Sequence, residues 1–337
     1  MDIKETLFTL SDLVSAGGVT EASDCAYEIM SQYTKVRKLG RQTVIGTFKG
    51  ESDYTVMIDA HIDEVAFVVT DIDDNGFLTV AKCGGIDIRT LPARPVTVHG
   101  KQKLPAVFCS VPPHLAGEKP QFEDIGKFKL DSMLGKNARD LISVGDMVSY
   151  DAKAQMLLGD RAVGKSFDDR AGCVVVLELA KRLSGKKLPF NVSFLLSDAE
   201  ELGLRGAKTA AFDISPDEAI AVDVSFGNAP DVSPDDCGKL SDGAMIGVSP
   251  IIDKQMSNTL IDIAKEKNIP YQIEVMGGST GTNADVISVN KSGVKTAVVS
   301  IPLRNMHTDS EVIALSDINA VCDLIEQYIL RKGDKNV

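Results

Sequence analysis

The stretch Phe190-Asn-Val-Ser-Phe-Leu-Leu196 runs into Ser197-Asp198-Ala199, then Glu200-Glu201, then Leu202-Gly-Leu-Arg-Gly206. An apolar run of strand length that stops at two acids and a Gly-rich turn reads as a buried strand with charge at its carboxyl end. Two like charges side by side repel, and their partial burial costs several kcal/mol unless something positive compensates. A metal cation held by one acid is the simplest compensation. The other acid is then free to act as a base beside it. Most Glu-Glu pairs are solvated surface acids, so the weight falls on the company this pair keeps.

Outward from that strand the chain alternates strand and helix. Helical spacing covers 170–184, and a shorter helix 204–212. Strands are expected at 190–196, 218–224, 271–276 and 296–301, with helices at 257–267 and 284–290 between them. A last helix opens at Ser316-Asp317, a good N-cap pair. Upstream, Leu7, Leu10, Leu13 and Val14, then Ala26, Ile29 and Met30, mark helices on either side of Gly17-Gly18. Residues 43–48, 54–58 and 65–70 read as core strands. From about 71 to 158 short β-like pieces (77–81, 95–98, 106–111, 147–150) are punctuated by Gly, Pro and Asp. The expected fold class is α/β: a three-layer domain with a mixed central sheet, residues 1–70 plus 159–337, interrupted by an inserted small all-β domain, residues 71–158.

The 337 residues suffice for one large core and a second, smaller one. No apolar stretch approaches the ~20 residues of a membrane helix, and the N-terminus shows no secretory signal. The six cysteines (25, 83, 109, 173, 237, 322) form no Cys-x-x-Cys pair, which argues against a zinc ribbon or a disulfide framework. A cytoplasmic location is expected. The net charge of −12 disfavours a nucleic-acid partner.

Of the four histidines, 61 and 307 sit among acids where apolar runs end. His61 lies in Asp59-Ala-His-Ile-Asp63-Glu64, and in extended chain His61 and Asp63 share a face. A carboxylate beside an imidazole orients a metal ligand and raises its basicity, although a satisfied core His near an Asp is the commoner case. His307 follows the run that ends at Pro302. His99 and His114 read as surface or turn residues. Asp168-Asp169 precede a strong helix and could simply cap it; Asp223 ends the apolar run 219–222. Ligand sites in open α/β sheets gather at strand carboxyl ends, so His61, Asp168, the Glu pair, Asp223 and His307 could share one crevice. Two His and three carboxylates can hold two divalent ions if one carboxylate bridges them. The mixed N/O set favours zinc, with cobalt or manganese possible. Such ions, ~3.5–4 Å apart, activate a water, and a further carboxylate must carry its proton.

These segments resemble the glutamyl-aminopeptidase or tetrahedral-aminopeptidase family of di-metal exopeptidases, some of whose members are labelled cellulases. The resemblance runs nearly end to end, through Asp59-Ala-His-Ile-Asp-Glu64, Phe167-Asp-Asp-Arg-Ala-Gly172, Glu200-Glu-Leu-Gly-Leu-Arg-Gly206, Val222-Asp-Val-Ser225 and Arg304 to Glu311. It implies Asp168 as bridging ligand, His61 and Asp223 on one metal, and Glu201 and His307 on the other. It implies Glu200 as general base and Asp63 as the carboxylate behind His61. It implies removal of N-terminal residues from short peptides, and self-association through the β domain into dimers and tetrahedral dodecamers. The chain departs from the pattern at Asn283, Asn305, Thr308 and Asp309, which puts substrate contacts near Asn283 and Asn305 in question. The turn 277–284 could offer backbone N–H groups to a peptide carbonyl or be an ordinary strand–helix turn. Rival readings are a di-metal deacylase or dipeptidase on N-acyl amino acids, a glycosidase that leaves His61 and His307 without a role, and a non-catalytic scaffold.

Overall fold

The computed structural model describes residues 1–116 and 125–334; residues 117–124 of the expected β domain lie outside the described residues. Helices α1 (Ile3–Asp12) and α2 (Glu21–Ser31) lead into β1 (Lys35–Leu39), β2 (Thr43–Phe48) and β3 (Thr55–His61). Next come β4 (Ala66–Ile72), β5 (Leu78–Cys83), β6 (Pro95–His99), β7 (Lys103–Phe108), the single turn α3 (Pro113–Ala116), β8 (Lys129–Asp131), the single turn α4 (Ala138–Leu141) and β9 (Met147–Tyr150). The chain continues through β10 (Gln155–Met156), β11 (Arg161–Gly164), α5 (Phe167–Leu183), β12 (Asn191–Ser197), α6 (Arg205–Ile214) and β13 (Glu218–Phe226). It ends with β14 (Ala244–Val248), α7 (Lys254–Lys267), β15 (Tyr271–Val275), α8 (Ala284–Ile287), β16 (Lys295–Leu303), β17 (Glu311–Ala314) and α9 (Leu315–Asp334).

Eight strands form one mixed sheet in the order β1-β2-β12-β3-β13-β16-β14-β15. The central pairs β12·β3, β3·β13 and β13·β16 are parallel, while β2·β12 and β14·β16 are antiparallel. Every residue of β3 and β12 is buried, which explains why they read as unbroken apolar runs and not as alternation. Successive residues turn to opposite faces. Ile58 and Phe194 pack with Val174, Leu177 and Leu324 on the face covered by α5 and α9. Met57 and Leu195 pack with Ala207 and Ile287 on the face covered by α6 and α8.

Strands β4-β5-β8-β7-β6-β9 close into a barrel with its own core of Phe67, Val96, Phe108, Leu130 and Val148. Closure pairs every edge. Residues 65–70, expected in the main sheet, instead belong to β4, which pairs with β5 and β9; the expected boundary at 70/71 falls inside that strand. At the far side, β10 pairs with β11, and β11 with β17, outside the barrel. Strands β1, β8, β10, β11, β14 and β17 are additions to the sequence expectation. The last helix starts at Leu315, so Ser316 and Asp317 lie within its first turn; the Asp317 carboxylate accepts from the backbone N–H of Ser241 and Gly243. No helix among the described residues is long and apolar enough to cross a membrane.

Candidate metal centre

The sheet register sets the first half of the site. His61 ends β3 opposite Ser197, the last residue of β12. Ala221 pairs with Asp59, so Asp223, two residues on, is level with His61 on the other side. The third contribution comes from α5. Gly164 of β11 pairs with Glu311 of β17, which carries the start of α5 to the loop after β16. Asp168 (φ −78°, ψ 105°) and Asp169 (φ −115°, ψ 47°) are not helical, and they divide the work. Asp169 accepts from the Gly172 N–H at 2.8 Å, as a cap does, and from the His61 N–H at 3.2 Å. Asp168 points at the imidazoles.

Its Oδ1 lies 2.9 Å from His61 Nε2, and its Oδ2 lies 3.1 Å from His307 Nε2. One carboxylate thus spans two rings with separate oxygens. His307 Nε2 is also 3.1 Å from Glu201 Oε1, and His61 Nε2 is 3.9 Å from Asp223 Oδ1. Ligand atoms of His61, Asp169 and Asp223, of His61, Glu200 and Glu201, and of Asp168, Glu201 and His307 fall within 4.8 Å of one another in each trio. All seven residues singled out from the sequence therefore lie together.

Asp63 has two tasks. Its Oδ1 is 3.5 Å from His61 Nδ1, and its two oxygens also accept the backbone N–H groups of Glu200 (2.9 Å) and Glu201 (3.2 Å). The chain bends before the pair as well as after it: Ala199 has φ +56°, and the Glu200 carbonyl accepts from both Gly203 and Leu204. That turn brings both glutamates to one side.

The electrostatics identify what the cluster lacks. Burial lowers the basicity of His307, but Asp168 and Glu201 outweigh it and the ring is pushed up to about 11. His61 is raised in the same way: burial opposes its charge, and the Asp168 and Asp63 contacts prevail. Burial raises Glu200 to about 7, with His61 pulling down and Glu201 and Asp168 pushing up. Burial likewise raises Glu201, Asp169, Asp223 and Glu311. Asp168, despite burial, is held below the usual range by the two rings. Carboxylates outnumber imidazoles in a buried space.

The rings make the same point. His61 Nδ1 faces the Asp63 carbonyl at 3.2 Å, and His307 Nδ1 faces the Gly85 carbonyl at 2.7 Å. Carbonyl oxygens only accept, so a neutral ring held this way turns a bare Nε2 lone pair toward carboxylate oxygens, which also only accept. A proton or a cation must occupy the space between, and the mixed N/O donors suit divalent zinc, cobalt or manganese.

Residues the sequence did not assign complete the cradle. Buried Glu311 accepts the His307 N–H at 2.7 Å and the Asp168 N–H at 3.1 Å. Glu64 joins Lys165 (2.7 Å), Arg170 (3.3 Å) and the Ser166 hydroxyl in a buried knot beneath the site. Apolar neighbours cannot announce a buried acid, so nothing in the sequence beyond their place in the quoted motifs marked them. The departures have local partners. Asn283 donates to Ser197 Oγ at 2.8 Å, Asn305 donates to the Ser310 carbonyl, and Asp309 pairs with Arg94 at 3.0 Å. In the turn 277–284, the Asp285 carboxylate accepts from the Thr280 N–H and from the Thr280 and Ser279 hydroxyls. His99 bonds Ser149 Oγ in the barrel, and His114 is exposed.

A family model described as M42 glutamyl aminopeptidase matches residues 42–324. A putative aminopeptidase of Acetivibrio thermocellus is 33% identical over 322 residues, covering 92% of this chain and 91% of that protein. Among solved structures, an aminopeptidase of the archaeon Desulfurococcus kamchatkensis superposes with a TM-score of 0.91 at 32% identity, over 97% of this chain and 94% of that one. The TET1 peptidase of Pyrococcus horikoshii, described as assembling into a tetrahedron or a large octahedral shell, superposes at 0.86 with 28% identity, over 97% and 99%.

Proposed function

This chain belongs to the M42 glutamyl aminopeptidase family, and from that premise we propose that it is a two-metal aminopeptidase that removes N-terminal residues from short peptides. The observation that carries the two-metal reading is Asp168, whose two oxygens face two different imidazoles. In this reading Asp168 is the shared ligand, His61 and Asp223 complete one position, and Glu201 and His307 complete the other. Zinc is the preferred ion, with cobalt or manganese as substitutes. Bound there, such ions would polarise the scissile carbonyl and lower the pKa of a shared water.

The rest falls to the chain. Without ions burial pushes Glu200 up to about 7, and cations beside it would lower that value and keep the carboxylate ionised, as a base requires. Its carboxylate takes a proton from the attacking water and delivers it to the leaving amine. Asp63 holds the backbone of Glu200 and Glu201 while its carbonyl fixes the His61 ring. Replacing Glu200 by Gln should leave two metals per chain, counted by elemental analysis, and lower turnover by roughly 10²-fold or more. Near-normal turnover would remove Glu200 from this role. Acetylating the substrate amine should abolish cleavage; retained cleavage would favour the deacylase alternative. A glycosidase reading leaves both imidazoles idle, and full glycan hydrolysis after chelation would be needed to revive it.

The barrel, from Ala66 to Tyr150, is read here as an inserted unit that mediates self-association. Exposed apolar side chains such as Met133 and Leu115 support that reading, and a tetrahedral dodecamer built from dimers is the proposed assembly. Six free cysteines fit the cytoplasmic setting proposed with it.

A further inference from the structure

We propose that Glu274 reads the side chain of the substrate's N-terminal residue and selects lysine or arginine, an inference that rests on the aminopeptidase reading above. The geometry starts at Asp223. Ser300 is its paired neighbour on β16, and Ser225 stands two residues further along β13, so the three side chains leave one face of the sheet. One strand spacing, about 5 Å, and two residue steps, about 7 Å, separate Asp223 from the two serines. Glu274 lies on the edge strand β15 and reaches over β14 to both. Ser300 donates to its Oε2 at 2.7 Å, and the Ser225 hydroxyl donates to its Oε1. Gly247, its paired neighbour on β14, offers no side chain there.

Glu274 lines a 630 Å³ cavity together with Ser225, which stands two residues along β13 from Asp223. Phe226, Met245, Ile273 and Met276 line that cavity with apolar surface, and Asp235 and Asp236 add two more carboxylates to its lining. Ser300, which bonds Glu274, is itself buried. Apolar surface set among carboxylates, with Glu274 the one held by buried hydroxyls, matches a side chain with a methylene stem and a cationic head. Among the described residues no lysine, arginine or histidine forms an ion pair with Glu274, so its only bonded partners are two neutral hydroxyls. Burial pushes this carboxyl up, against the two serine bonds. A charge placed this way lacks a cation, and the substrate can bring one. An acidic side chain would be repelled. An apolar one of equal length would satisfy the walls and leave the carboxylate desolvated without a partner.

The test compares lysyl, arginyl, norleucyl and glutamyl 4-nitroanilides on the full-length, metal-loaded protein and its Glu274→Gln variant. The wild type should favour lysyl over norleucyl in kcat/KM by about tenfold or more, the scale of an unmatched pocket contact. Glutamine keeps the shape and still accepts from the serines. Glu274→Gln should therefore raise KM for lysyl and arginyl substrates and leave norleucyl within about twofold. Calorimetry with L-lysine and L-norleucine, the products, should reproduce the preference without turnover. A wild-type preference for norleucyl or glutamyl substrates overturns the inference alone. An equal loss on all four substrates also overturns it, because Glu274 would then be a prop for the sheet end. Failure to cleave any of the four overturns the aminopeptidase reading, and this inference with it.

Discussion

His61 and His307 face the same carboxylate, yet they are held in opposite ways. His61 is the last residue of a central strand, 1% exposed, and placed by register against Ser197. His307 is a loop residue with φ +62°, its side chain 25% exposed. It is fixed by the Gly85 carbonyl from between two barrel strands and by Glu311 from β17. One half of the centre inherits its geometry from the sheet. The other is assembled from segments whose only common purpose is to meet there. The first half is rigid by construction, whereas the second depends on contacts that could each be lost separately.

The substitution that ignores this difference should have the largest effect. Asp168→Asn touches both rings and should lower turnover by roughly 10³-fold, the scale of several kcal/mol of metal-derived stabilisation. Metal content by mass spectrometry should fall below two ions per chain. Two retained ions with normal turnover would end the bridging reading.

Alanine replacements then separate the halves. In metal-free protein, His61→Ala should cost about 2–4 kcal/mol by denaturant titration, because it empties a fully buried site and strips Asp168 of a partner. His307→Ala also strips Asp168 and Glu201 of a partner but vacates a site partly open to solvent, and should cost less, about 1–2 kcal/mol. Equal costs would erase the contrast drawn above. Glu311→Gln should act on the second half more than on the first, because Glu311 holds His307 as well as the shared Asp168. It turns one N–H acceptor into a donor and should weaken the His307 site about 10–100-fold and the His61 site by less, a difference that calorimetric metal titration resolves.

The smallest effect is on pH dependence. In chelated protein the folded-state values of Glu200 (about 7, from 4.5) and His307 (about 11, from 6.5) are both raised. Raised groups contribute stability that is present below the unfolded value and lost as pH rises through the folded one. Apo stability should therefore decline between roughly pH 4.5 and 11. Asp168, lowered by burial-opposing bonds to both rings, has the reverse sign and acts only in acid. Saturating metal should flatten the decline. A metal-independent slope would mean that the cluster does not take up cations.

The same contrast governs what could be read from the chain. Strands β3, β12, β13 and β16 announce themselves because burial on both faces demands continuous apolar runs, and the acids and His61 at their ends follow directly. The His307 half was visible only as a histidine among acids. Strands β11 and β17, which bring Asp168 to Glu311, are four residues each, too short for periodicity to register. Residues 65–70 enter the barrel and not the larger domain, which stayed hidden because an apolar run does not say which core it joins; Phe67 packs on Phe108 and Tyr150 inside the barrel. Glu311 and Glu64 stayed hidden because a sequence shows that a residue is acidic but not that a fold will bury it beside two N–H groups or a lysine.

The Gly85–His307 contact ties the barrel's interior loops to the chemistry. Its carbonyl leaves a connection between β5 and β6, so the ring keeps its orientation only while that connection keeps its shape. Strain applied at the barrel would reach the His307 side of the cluster before the His61 side. Pruning the barrel to make a minimal catalyst would therefore remove the support of one imidazole and leave a remnant in which only His61 keeps its place in a strand.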